Sequence, residues 1–101
     1  MNNFTVLITG ANRGLGLEFV RQYSQLGWSV LACCRNLSNS NELEILQKKF
    51  SSIEIFQLDV GNLNEIKDLS NTLKDRTIDI LLNNAGIYRS GALGSIDTEE
   101  W

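Results

Sequence analysis

The sequence predicts an α/β chain, a doubly wound parallel sheet in the order β-α-β-α-β-α-β. Three observations predict it. Short β-branched runs alternate with segments of helical apolar spacing. Those helical segments have the length, about 10 to 15 residues, that a right-handed crossover between parallel strands uses. The first two strand runs carry no charge, as expected of strands buried on both faces. At 101 residues the chain accommodates one domain, residues 1–101, and not two.

Phe4-Thr5-Val6-Leu7-Ile8-Thr9 reads as the first strand and ends in glycine. From Gly14 to Leu26 the spacing turns helical: Leu15, Phe19, Gln22, Tyr23 and Leu26 share one stripe, which Val20 widens. Gly27 stands where a helix C-cap glycine belongs. Trp28 to Cys34 is the second strand. Asn39 with Glu42 forms a capping box, and Leu43, Leu46 and Phe50 give the second helix its apolar face. Ile53 to Leu58 is the third strand. Asn62 with Glu65 repeats the box ahead of a stripe of Ile66, Leu69 and Leu73, and Ile78 to Leu82 is the fourth strand. Asp97 with Glu100, flanked by Ile96 and Trp101 as a hydrophobic staple, announces one more helix. One turn with nothing after it is not a stable helix, so the chain reads as the front part of a longer protein, truncated after the fourth strand.

Composition narrows the function. With 9 Lys+Arg against 12 Asp+Glu the net charge is −3, which argues against nucleic acid or an anionic membrane as the main partner. No apolar run approaches the about 18 residues of a membrane span, and no basic-then-apolar leader is expected. The absence of histidine removes Ser-His-Asp and Cys-His triads and His-based metal sites. Cys33 and Cys34 are adjacent on one strand and point to opposite faces, which disfavours a disulfide between them. They read as small core residues in a reducing compartment, the cytoplasm.

The residues that carry chemistry lie at strand ends. The first strand runs into Thr9-Gly10-Ala11-Asn12-Arg13-Gly14-Leu15-Gly16, which opens the first helix. Free amides and the positive end of the helix dipole converge there, and glycines 10, 14 and 16 let a pyrophosphate approach the backbone without meeting a Cβ. No Gly-Lys-Ser/Thr follows, so this is not a P-loop, and Phe19 occupies the place of a third glycine in G-x-G-x-x-G. The second strand ends in Arg35, 19 residues past Gly16, where an acidic residue would bind ribose hydroxyls and an arginine suits a 2′-phosphate. Arg35 alone also fits a solvated loop arginine. Together with Arg13, and with no Asp or Glu before Glu42, it favours NADP(H) over NAD(H). Asp59, with Val60, closes the third strand and can accept a hydrogen bond from an adenine amino group. Asn83-Asn84-Ala85-Gly86 closes the fourth, with Ala85 and Gly86 small enough for backbone to approach a ribose. As bare residues, both segments equally make good turns.

This set resembles the short-chain dehydrogenase/reductase family over nearly the whole chain. Thr9-Gly10-x-x-x-Gly14-x-Gly16, Asp59-Val60 and Asn83-Asn84-Ala85-Gly86 match three family motifs in order and spacing, and the glycine loop is similar to that of NADPH-preferring carbonyl reductases. The resemblance implies a Rossmann-like sheet and hydride transfer to or from a carbonyl or alcohol carbon of a small substrate. It also implies a cofactor site. Gly10, Asn12, Arg13, Gly14, Leu15 and Gly16 would hold the phosphates and Arg35 the 2′-phosphate. Asp59 and Val60 would flank adenine, with Asn84, Ala85 and Gly86 beside the ribose. The family's catalytic Ser, Asn and Tyr-x-x-x-Lys fall beyond position 101. Tyr23 and Tyr88 have no Lys four residues on, so this chain is expected to bind dinucleotide and catalyse nothing. A non-catalytic NADP(H)-sensing module is the alternative. A methyltransferase using S-adenosylmethionine would want an acid where Arg35 stands. The apolar run Ile78–Leu82, left as an open edge, predicts self-association.

Overall fold

In the computed structural model, which describes residues 4–84, strands and helices alternate in the predicted order. β1 (Thr5–Ile8) leads to α1 (Gly14–Gln25), β2 (Ser29–Cys34), a 3₁₀ turn (Leu37–Asn39) and α2 (Asn41–Lys49). β3 (Ile53–Gln57), α3 (Leu63–Thr72) and β4 (Ile80–Leu82) complete it. All pairings are parallel, and the strand order is β3-β2-β1-β4. Growth of the sheet therefore reverses at β1, with β2 and β3 on one side and β4 on the other. Such a reversal opens a crevice at the carboxyl ends of the strands, where ligands of open α/β sheets bind.

The register sorts the side chains. Val6 and Ile8 of β1 pair with Val30 and Ala32 of β2 and with Ile80 and Leu82 of β4. Adjacent parallel partners share a face, so these residues line one side of the sheet. Val20 of α1 and Leu43 of α2 close over them, all but Ile80 and Leu82 fully buried. Leu7, Leu31 and Cys33 point the other way and meet Leu73, just past the end of α3.

The rotation of α1 differs from the predicted stripe. Its buried line is Gly16, Val20 and Ser24. Leu17, Phe19 and Tyr23 pack beside that line, whereas Leu15 and Leu26 are 50% and 65% exposed. The physical reason is a backbone contact. A Cβ on Gly16 would lie 2.1 Å from the carbonyl oxygen of Gly10, so Gly16 must face the sheet and turns the rest of the helix with it. The helix ends as predicted at Gly27, which has φ +88°. Trp28 N donates to Tyr23 O and Gly27 N to Ser24 O, both at 3.1 Å, the pair of bonds of a Schellman motif. The Tyr23 and Trp28 rings meet edge-on, with centroids 4.9 Å apart, and make that motif's hydrophobic contact.

The two predicted capping boxes also resolve differently. Ser40, not Asn39, stands at the N-cap of α2; it is buried and its hydroxyl donates to Leu37 O at 2.6 Å. Asn39 belongs to the 3₁₀ turn. At α3, Asn62 Oδ1 does accept from Glu65 N at 3.2 Å, but the Glu65 carboxylate goes elsewhere. The predicted helix after Ile96 lies outside the described residues.

Candidate functional site

The carboxyl ends of β1, β2 and β4 are tied together by hydrogen bonds from residues far apart in sequence. Thr9 N donates to Leu82 O at 3.0 Å, and Thr9 Oγ1 to Asn83 Oδ1 at 3.0 Å. Ala11 N donates to Cys33 O at 3.0 Å, which seats the glycine loop on the end of β2. Asn84 Nδ2 donates to Gly10 O at 3.3 Å. An added Cβ on Gly16 would meet that same amide nitrogen at 2.7 Å. Thus Gly10, Gly16 and Asn84, predicted from separate motifs, form one contact. Only a residue without a side chain lets α1 begin so close to the end of β4.

The loop itself combines left-handed glycines with a helix start. Gly10 and Gly14 adopt φ +60° and +59°, left-handed values that glycine takes without strain. Gly14, Leu15 and Gly16 form the first turn of α1, whose amides have no acceptor inside the helix. Arg13 at the N-cap offers them no side-chain bond, and no acidic residue stands in that turn. A Cβ on Gly14 would meet nothing within 4 Å, so open space lies beside the start of the turn. Unspent donors, the positive end of a helix and room beside them fit a pyrophosphate.

Around this turn the other predicted residues take separate positions. Asn12 does not point into the open space; its Nδ2 donates to Asn39 O at 3.2 Å and braces the loop against the 3₁₀ turn. Arg13 and Arg35 are both exposed, one at the start of α1 and the other directly after β2. Neither has an ion-pair partner among the described residues. No hydrogen bond brings the two together. Asp59 and Val60 are half-buried beyond β3. Asp59 Oδ1 accepts from Gly61 N at 2.9 Å. Ala85 and Gly86 lie outside the described residues.

The short chain dehydrogenase family model matches residues 4–101. The chain belongs to that family. An uncharacterized oxidoreductase of Schizosaccharomyces pombe is 36% identical over 87 residues, which are 83% of this chain and 34% of that protein. A short-chain dehydrogenase/reductase from Burkholderia multivorans, solved with bound NADP, superposes with a TM-score of 0.78 at 29% identity, over 96% of this chain and 44% of the other. A 4-hydroxyisoleucine dehydrogenase complexed with NADH gives a TM-score of 0.69 at 26% identity, over 86% and 35%. The chain spans about a third of the length of the curated relatives it matches.

As a member of that family, the chain carries a Rossmann-like sheet, with a glycine-containing turn between β1 and α1. Tyr23 packs against Trp28 on the flank of α1, away from the strand ends. Cys33 and Cys34 are free and lie in opposite core layers. Burial pushes the Cys33 thiol up to about 12, with the neighbouring Cys34 adding to it, and burial also raises Cys34. Both are protonated, inert core residues at neutral pH. Among the described residues no cluster of His, Cys, Asp or Glu could hold a metal, and no helix is long and apolar enough to cross a membrane. Thr9 enters the sequence only as the first residue of the glycine motif, and in the fold its hydroxyl joins β1 to Asn83; Glu65 enters only as a cap, and its carboxylate also holds the Asp59 amide. Thr9 was visible as the residue between strand and glycine turn.

Proposed function

We propose that this chain is the cofactor-binding front of an NADP(H)-dependent oxidoreductase acting on a carbonyl or alcohol carbon of a small substrate. The observation that carries it is the junction of Gly10, Gly16 and Asn84 beneath the open first turn of α1. It sets the first turn of α1, whose amides have no acceptor inside the helix, at the sheet's switch point. When bound, the nicotinamide cofactor supplies the hydride chemistry. The residues of this chain bind and orient it. The amides of Gly14, Leu15 and Gly16 take the pyrophosphate, while Gly10 and Asn12 shape the loop around it. Arg13 and Arg35, exposed and unpaired among the described residues, take the 2′-phosphate, which a guanidinium grips bidentately. Asp59 and Val60 flank adenine, and Asn84, Ala85 and Gly86 border the adjoining ribose. The proton that accompanies the hydride comes from outside these 101 residues, so the chain alone binds and does not turn over.

The same reading places the protein in the cytoplasm, where two reduced thiols persist. It also includes self-association, because β4 is an edge strand of the described sheet and Leu81 on it is 63% exposed. The test is a parallel titration of the chain with NADPH and NADH, followed by energy transfer from Trp28. Tighter binding of NADPH, by about tenfold or more, supports the assignment of the two arginines. Equal binding removes the NADP preference and keeps the dinucleotide site. Binding of neither by a folded chain sinks the site as an autonomous one.

A further inference from the structure

Asp59 stands where the sheet stops. Leu58 N still donates to Cys34 O at 2.8 Å, continuing the β2–β3 ladder by one residue. The next amide, that of Asp59, faces away from β2 on the free side of this edge strand and donates to Glu65 Oε1 at 2.8 Å. Glu65 reaches back six positions from the first turn of α3, and its other carboxylate oxygen accepts from Gln57 Nε2 at 3.3 Å. In a reciprocal capping box that carboxylate would take the amide of Asn62. Here Asn62 N is spent on Asp59 O at 2.8 Å, so Glu65 is released to hold the end of β3.

The consequence falls on the Asp59 side chain. Its amide is held by Glu65, its carbonyl by Asn62 and its Oδ1 by Gly61 N at 2.9 Å. Among the described residues Oδ1 accepts one hydrogen bond and Oδ2 accepts none, so Oδ2 is the oxygen left open to a ligand. One fixed carboxylate oxygen recognises an N–H donor and repels a carbonyl oxygen. We propose that Glu65 is a positioning residue for the adenine subsite, acting through the backbone of Asp59 so that one carboxylate oxygen selects a 6-amino purine over a 6-oxo purine. This rests on the reading that the adenine of the dinucleotide lies against Asp59.

The test compares NADPH with its hypoxanthine counterpart, in which the purine amino group is an oxo group, as ligands of the chain. The wild type should prefer the adenine form by about tenfold, the scale of one hydrogen bond to a charged group. Glu65→Ala should lower that preference below about twofold while leaving affinity for the hypoxanthine form nearly unchanged. Glu65→Gln keeps an acceptor for the Asp59 amide and should retain the preference. Glu65→Asp keeps the charge on a shorter arm and should lose it, which decides the matter if the alanine variant does not fold. Equal loss of both ligands in Glu65→Ala, or an unchanged preference in Glu65→Ala and Glu65→Asp, overturns the role of Glu65 alone. A wild type that binds both forms equally overturns the placement of adenine at Asp59, and the proposal with it.

Discussion

The two faces of this sheet are made from the same strands and end up in different states. On one, α1 and α2 cover Val6, Ile8, Val30, Ala32 and Cys34, none of which retains any exposure. On the other, α3 covers Leu31 and Cys33 but leaves an apolar groove of about 490 Å³ floored by Leu7 and walled by Leu58, Leu69, Leu73 and Leu81. Leu7 and Leu81 are register partners, yet Leu7 is 7% exposed and Leu81 63%. Burial on this sheet is therefore decided by which helix lies over a residue, not by how apolar its strand is. The strand ends belong to both regions, since Thr9 and Asn83 line the groove's rim and also bond to each other.

The largest expected effect lies on the closed face. Ile8→Ala should cost about 2–5 kcal/mol in denaturant unfolding, because a fully buried side chain leaves a cavity that packed neighbours cannot fill. A loss below about 1 kcal/mol would mean that this face is no better packed than its opposite. Next comes the thiol on the groove side. Cys33 is protonated in the fold up to about 12, above its ordinary value of 9.0, so the folded state holds a proton that the unfolded chain releases. Its contribution is fully present below about pH 9 and is lost as pH rises toward 12. By about pH 10 the loss should be about 1 kcal/mol, read as an unfolding midpoint that falls more steeply in the wild type than in a Cys33→Ala variant, which keeps the smaller fall due to Cys34. The smallest effect is that of Leu81→Ser. At an exposed position it should change stability by less than about 0.5 kcal/mol, while shifting sedimentation toward the monomer. A large destabilisation there would show that the groove is already filled.

What the sequence made legible follows from the range of the forces involved. Strand and helix order came from local periodicity, and the Schellman end of α1 from Gly27, because those signals are contained within a few residues. The rotation of α1 was not legible. Its buried line passes through Gly16 and Ser24, which no hydrophobic stripe marks, and it is set by contact with Gly10 and Asn84 across the fold. The site was legible as motifs but not as a junction: glycine turn and Asn84 each suggested backbone approach, and only the fold shows them touching. The backbone partners of Asn12 and of the Glu65 carboxylate were not legible, for one reason. A polar side chain in a turn has several backbone groups within reach, and sequence does not say which is unoccupied.

The proposed function puts the dinucleotide across the strand ends and not in the apolar groove beneath them. Amide chemical shifts of the labelled chain, recorded during titration with NADPH, test it most directly. The amides of Gly14, Leu15, Gly16, Arg35 and Asp59 should move, while those of Leu69 and Leu73 in the groove stay in place. Shifts confined to Leu69, Leu73 and Leu81, with the glycine turn silent at saturation, would contradict it.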